Sequence, residues 1–326
     1  MDNPVLSVVV AIASDTTSPI NTRHLSPCLA ALAKQAASPA MEIIVPVPAG
    51  VPGIAALRKQ FPDVLILEFS DLRKYTGRGN SREHHGALIA RGFAQARGSL
   101  IALIEDHDIV APDWGLRAVS AHAGPFAGIG GAIENGIDRP LNWAVYISDF
   151  QLYQNPVPKG QTHRASDANV IYKRAALDRI RHVWEQEFHE ASVNEAMESC
   201  GEKIAMAPDV VVFQHRQALR LRAALLERFV WGRSFGAWRC AVIGPAQRLT
   251  WIVFSPAIPL LLLSRKCVVA VRKRSNLGAF FKALPIITVL TVSWVCGELT
   301  GYITRHALPR RARTAGTTTD SSQGLL

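Results

Sequence analysis

Cysteine is scarce and badly spaced for bonding. The five thiols, Cys28, Cys200, Cys240, Cys267 and Cys296, are scattered and form no C-x-x-C pair. That excludes a disulfide framework and a zinc knuckle, and it fits a reducing compartment for the catalytic part. The opening residues lack a charged segment followed by a cleavage site, so no signal peptide is expected. No internal repeat is present. Acid is missing from one end of the chain. Residues 216–326 carry 17 Lys and Arg against three Asp and Glu, whereas residues 1–215 carry 19 against 23. The net charge of +10 therefore averages a mildly acidic unit and a strongly basic one.

Basic charge marks nucleic acid or anionic lipid as a partner. Here it is interleaved with uncharged runs at 249–264 and 283–297, the second reaching residue 304 if Glu298 is tolerated. That favours membrane lipid and argues against nucleic acid. Upstream, Leu221, Leu225 and Phe229 recur at helical spacing among arginines, followed by Trp231, Phe235 and Trp238. Residues 217–245 thus read as an amphipathic interfacial helix. Residues 246–304 read as membrane-associated segments and 305–326 as a basic, disordered tail. A spanning helix needs about twenty apolar residues. The first run is short and contains Pro256 and Pro259. Arginines and lysines on both sides of it disfavour a simple two-span hairpin, so a re-entrant or interfacial first segment is expected.

Residues 1–216 alternate between strand and helix patterns. Strands are expected at 6–12, 42–47, 64–69 and 101–104, with helices at 25–35, 52–57 and 81–96, the last capped by Asn80. Further on, 113–122 reads as a helix, 127–134 as extended and 151–168 as a long loop. A strand at 169–172, a helix at 174–181, a charged helix at 185–200 ended by Gly201, and short strands at 204–206 and 210–213 complete the unit. This order specifies an α/β domain with a largely parallel sheet.

The apolar strand 101–104 runs straight into Glu105, Asp106, His107 and Asp108. Ligands on such sheets bind beyond the carboxyl ends of the strands. Oxygen and imidazole groups there can hold a divalent cation, and a cation can hold a diphosphate. A solvated acidic turn is the plainer alternative.

Several pieces in fixed order carry a resemblance. They are the opening strand Leu-Ser-Val-Val-Val-Ala-Ile-Ala, the helix ending Cys-Leu-Ala-Ala-Leu-Ala-Lys-Gln at 28–35, and Glu-Ile-Ile-Val at 42–45. The stretch 79–98 leads into the acidic strand end. Ala-Asn-Val-Ile-Tyr-Lys-Arg-Ala-Ala-Leu at 168–177, Trp-Glu-Gln-Glu-Phe-His at 184–189 and Ala-Pro-Asp-Val-Val-Val-Phe-Gln-His at 207–215 follow. Over residues 5–216 the chain resembles family-2 glycosyltransferases. The resemblance implies a GT-A-like Rossmann-type sheet with flanking helices, here followed by a helical membrane-associated C-terminal region. It implies a nucleotide-sugar donor, inverting transfer to a lipid-linked or cell-envelope polysaccharide acceptor, and a cytoplasmic membrane location with the catalytic domain facing the cytoplasm.

For the site, the resemblance implies a Mn²⁺ or Mg²⁺ ion near Glu105, His107 and Asp108. His107 stands where the family usually has a carboxylate, and a weaker register pairs Asp106 with Asp108. His215 is a possible further ligand or a surface histidine. The general base would come from Glu185, Glu187 or Glu190. Donor contacts would come from Asp15, Arg82, Asp106 and Asn169, and Glu134 and Asn135 could line the acceptor side. The second reading is a membrane-bound binding or scaffold protein on a degenerate transferase fold. It is favoured by the altered acidic motif and by Pro46-Val47-Pro48, where the family often holds the base with an Asp.

Overall fold

The computed structural model describes residues 4–13, 21–35, 39–72 and 84–306. Asp15, Arg82 and the loop 77–80 lie outside the described residues. The chain opens as β1 (Leu6–Ala11), α1 (Leu25–Ala33), β2 (Met41–Pro48), α2 (Ile54–Gln60), β3 (Leu65–Phe69), α3 (His85–Gln95) and β4 (Leu100–Glu105). β1 to β4 form one parallel part of the sheet, with β1 between β2 and β4, and β6 pairs parallel with β9. Val8–Ala11 of β1 and Leu100–Ile104 of β4 read as apolar runs because both faces are covered. Leu6, Val8 and Val10 enter one core and Val9 and Ala11 the other.

Next come β5 (Asp108–Val110), α4 (Trp114–Ala121), β6 (Gly128–Asn135) and α5 (Pro140–Phe150). They are followed by β7 (Gly160–Thr162), β8 (Asn169–Lys173), α6 (Arg174–Arg179), α7 (Arg181–Trp184), α8 (Glu190–Ser199) and β9 (Ile204–Gln214). Among the described residues the sheet has nine strands in the order β3-β2-β1-β4-β8-β6-β9-β5, with β7 on β9. β8 is antiparallel to both of its neighbours, and β5 is antiparallel to β9.

The sheet is mixed rather than largely parallel, because β8, β5 and β7 run antiparallel to their partners. The helix expected at 174–181 is divided into α6 and α7. Further features differ from the sequence expectations. The region 140–150, unassigned from sequence, is the helix α5, with Pro140 in its first turn, where no N–H is needed. The two short strands near 204–213 are one strand, β9, whose pairing with β6 shifts register between Gly131 and Ala132. The loop 151–168 contributes β7. The charged helix begins at Glu190 rather than 185, because the Phe188 N–H donates to Gly86 O at 3.0 Å and draws residues 187–188 across the start of α3. A Cβ on Gly86 would collide with Phe188 O, so glycine permits this approach. Gly201 does end the helix. Its φ is +76°, its N–H donates to Glu198 O, and the Glu202 N–H donates to Met197 O, a left-handed helix stop.

The last third is helical: α9 (Leu221–Val242), α10 (Pro245–Phe254), α11 (Ile258–Lys273) and α12 (Leu277–Thr304). A single 3₁₀ turn at Ser255–Ala257 joins α10 to α11, where Pro256 and Pro259 withdraw two backbone donors. α9 and α12 meet along small residues. A Cβ on Gly232 would strike Trp294 O, and one on Gly236 would strike Glu298 O. Reciprocally, Gly297 faces Phe229 O and Gly301 faces Arg233 O. Both helices thus carry a small-xxx-small pair that lets their backbones touch. Phe280, Ala283, Ile287 and Leu290 of α12 join the core cluster that also holds Val145 and Ile147 of α5.

Candidate active site

Residues 105–108 form a turn where the ends of β1, β4 and β9 converge. Asp108 builds it. One of its carboxylate oxygens accepts the Glu105 backbone N–H at 2.8 Å, and the other accepts the Gln214 amide at 2.6 Å. Asp106 ties the turn to β1 by accepting the Ala13 N–H at 3.0 Å. The His107 carbonyl accepts the His215 N–H at 2.8 Å. Asp106 and Asp108 are fully buried behind the turn, whereas Glu105 and His107 face a cavity of about 760 Å³.

The His107 ring bridges acids, with Nε2 3.3 Å from Glu105 Oε2 and Nδ1 3.3 Å from Asp106 Oδ1. Burial disfavours its charge, but the hydrogen bond to Asp106 and the nearby Glu105, Asp106 and Asp108 carboxylates outweigh that and hold it up to about 9. Burial, with a smaller push from Glu105 and Asp106, raises the Asp108 carboxyl well above its usual range, against the pull of His107.

The same cavity is lined by Glu190, Asp167 and Ser166. Glu190 is the first residue of α8, and its Oε2 accepts the Asp167 N–H at 3.1 Å. Burial first, then the Asp167 carboxylate, pushes the Glu190 carboxyl up to about 8, and Glu105 adds to the same shift. His85 stands behind Asp167, its Nε2 3.9 Å from Asp167 Oδ2. A carboxyl held near neutrality in a cavity of this size is poised for proton transfer.

Glu105, His107 and Glu190 are therefore brought together from distant parts of the sequence. Glu185 and Glu187 are not. Both are exposed, pairing with Arg181 at 3.4 Å and His189 at 3.7 Å, and neither lines the cavity. His215 also lies outside the lining, with Nδ1 3.3 Å from the Gln217 amide, and burial lowers its pKa. Asn169 is fully buried. Its amide donates to Ala132 O and Val210 O, each at 2.9 Å, and its oxygen accepts Trp114 Nε1–H at 3.1 Å. It braces the irregular β6–β9 pairing and does not reach the cavity. Asn135 lines the cavity, while Glu134 accepts the Asn155 N–H at 2.9 Å.

Sequence reasoning missed Asp167, Gln214, Arg216 and Arg228, all of which line the cavity. Asp167 stood two residues before Asn169 in a segment already singled out, and Gln214 beside His215. Arg228 was visible as a guanidinium among the apolar residues of a helix.

Among the described residues, no three His, Cys, Asp or Glu side chains converge to cage a metal ion. Both Asp108 oxygens are engaged by protein donors. Glu105 and His107 nevertheless face the cavity side by side. That fits an ion held jointly by one or two protein groups and a diphosphate, the mode usual for Mg²⁺-like ions.

Residues 24–181 match the family model described as Glycosyl transferase family 2. The mannosyltransferase PcManGT from Pyrobaculum calidifontis, solved in complex with GDP-Man and Mn2+, has a TM-score of 0.51 at 15% identity. The match covers 92% of this chain and 88% of that one. TarS 1-349 from S. aureus, solved in complex with UDP-GlcNAc, reaches a TM-score of 0.47 at 11% identity, over 89% and 91% of the two chains. At 15% identity the likeness to the mannosyltransferase is one of fold alone. No curated protein matches the chain.

Proposed function

Since residues 24–181 match the glycosyl transferase family 2 model, we propose that the chain transfers a sugar from a nucleotide-sugar donor to a lipid-linked or cell-envelope acceptor, with inversion. The observation that carries this is the shared cavity. Glu190, with its carboxyl raised to about 8, lines the same cavity as Glu105 and His107 and lies close enough to Glu105 for that carboxylate to add to the shift. In the proposed step the acceptor hydroxyl oxygen bonds to the anomeric carbon as the bond from that carbon to the diphosphate breaks. The hydroxyl proton passes to Glu190. The leaving diphosphate carries the bond's electrons away, and His107, protonated at neutral pH, meets the developing charge. When a Mn²⁺ or Mg²⁺ ion is bound, Glu105 and His107 are the groups that would hold it, and it would supply further charge neutralisation. His107 takes one of these two roles at a time, since a protonated imidazole cannot ligate.

Membrane association is part of the same proposal. Two helical stretches, Pro245–Lys273 and Leu277–Thr304, are long and apolar enough to cross a membrane. The first stays beside the catalytic unit. Lys266 Nζ donates to Ile147 O and Ser148 O, and Lys273 Nζ donates to Leu152 O. Its outer face exposes Leu249, Val253, Phe254 and Leu260, with Leu260 74% exposed. This supports a stretch lying at the membrane interface. The arginines of α9 suit a cytoplasmic face.

The test is transfer by the purified full-length chain from a panel of UDP- and GDP-sugars into a membrane lipid extract. Transfer from one donor that is lost in Glu190→Gln supports the reading. Transfer unaffected by that substitution removes Glu190 as the base.

A further inference from the structure

Residues 214–217 end β9 and lead towards α9, and three elements hold them. The acid turn is the first: the His215 N–H donates to His107 O at 2.8 Å, and the Gln214 amide donates to Asp108 at 2.6 Å. The start of α5 is the second. The Asn142 amide donates to Arg216 O at 2.9 Å, and Arg139 Nη2 donates to Gln217 O at 2.8 Å. The third is α9, whose Glu227 pairs with the Arg216 guanidinium at 3.1 Å. Residues 214–217 therefore strap the acid turn to the first helix of the last third.

Glu227 is 3% exposed, and the next residue, Arg228, is buried too and holds Asp149 of α5 through both terminal nitrogens. Successive residues of a helix point about 100° apart. The two side chains thus reach two different elements of the catalytic unit, which fixes α9 in rotation as well as in position. Stability alone does not call for this. A buried ion pair replaced by packed apolar residues of similar volume is often as stable or more so, and its best-attested use is to set register. Against α12, α9 packs by backbone contact along Gly232 and Gly236, with no ion pair needed there. The charges of α9 at 227 and 228 lie where it meets the strap and α5. A displacement of α9 carries Arg216 with it, and Arg216 is the residue after the N–H that holds His107.

We propose that Glu227 is a positioning residue for the catalytic turn: through Arg216 it sets the placement of His107 and Asp108 by that of α9. The role in catalysis rests on the transferase reading above.

The experiment compares the full-length wild type in detergent with Arg216→Met/Glu227→Met, which removes both charges and keeps the bulk. Denaturant midpoints near wild type are expected for this variant. Amide exchange over residues 100–110, read by mass spectrometry, is the deciding measurement. The Glu105 N–H, given to Asp108, and the Asp106 N–H, given to Ala11 O, report the turn. Exchange there about tenfold faster, with residues 41–48 unchanged, is expected. In transfer assays kcat should fall about tenfold with donor KM little changed, the mark of a group misplaced in the transition state. Wild-type exchange over 100–110 in the folded variant would overturn the proposal even if kcat falls, since Arg216 would then act on substrate directly. Faster exchange with wild-type kcat would overturn it as well. If the double variant does not fold, Arg216→Met alone, which leaves Glu227 able to take up a proton, is read in the same way. A wild-type chain that binds no nucleotide sugar would defeat the transferase reading, while faster exchange in the variant would leave the tie between α9 and the turn standing.

Discussion

Glu190 Oε2 accepts the backbone N–H of Asp167 at 3.1 Å, which fixes one carboxyl beside another at the cavity wall. Like charges this close disfavour double ionisation, and burial acts in the same direction. The pair keeps a proton to higher pH than either acid would alone, and its titration belongs to both groups.

Activity should follow that titration. A base must be unprotonated, so kcat/KM is expected to rise with pH through about 8, and Glu190→Gln should remove this limb. The same substitution should lower kcat by roughly 10²- to 10⁴-fold, the usual worth of a positioned base. Glu185→Gln and Glu187→Gln should leave kcat near wild type. Initial rates across pH for the three variants check this.

Stability should run the other way. The folded carboxyl is raised from its ordinary 4.5 to about 8, so the folded state binds the extra proton between those values. Its contribution to stability is present below about 4.5 and is lost as pH rises towards 8. Urea unfolding of wild type and Glu190→Gln at several pH values should show a smaller loss of stability with rising pH in the variant. Identical pH slopes would contradict the burial of this group.

Asn169→Leu should fail as a protein before it fails as an enzyme. It removes three buried hydrogen bonds and leaves Ala132 O, Val210 O and Trp114 Nε1 without their partner. The expected loss is about 3 kcal/mol or more, given about 1–3 kcal/mol for each buried group left unsatisfied. Denaturant midpoints measure it, and a change in donor affinity with stability unchanged would return Asn169 to the site.

Gly297→Leu should separate α9 from α12. The new side chain has no room beside Phe229 O, and backbone contact along this seam leaves nothing flexible to yield. Overpacking of this kind costs about 1–3 kcal/mol, occasionally more. Gly278→Ala, with nothing near its Cβ, is the control. Thermal unfolding in detergent compares them, and equal midpoints would contradict the seam.

The parallel strands were legible because both faces of β1 and β4 are covered, which concentrates apolar residues at 8–11 and 100–104. The choice among Glu185, Glu187 and Glu190 was not. It depends on Gly86 letting Phe188 cross α3, a contact between residues a hundred positions apart. Asp106 and Asp108 resemble ligands in sequence, yet their oxygens close the turn and hold β1 and β9. The glycines of α9 and α12 carry no signal singly, since their meaning lies in which helix faces which.

Metal dependence separates the roles available to His107. If Glu105 holds an ion with the donor's diphosphate, chelation should abolish transfer and Glu105→Gln should raise the Mn²⁺ requirement. Full activity in chelator would leave the imidazolium as the group that meets the leaving charge.

The most direct test of the whole reading is donor binding itself: thermal shift of the purified full-length chain across UDP- and GDP-sugars, with and without Mn²⁺ or Mg²⁺. A ligand bound only by the folded state raises apparent stability. Stabilisation by one nucleotide sugar, with transfer from that donor lost in Glu190→Gln, is the expected result. No shift and no transfer with any donor would contradict a nucleotide-sugar transferase.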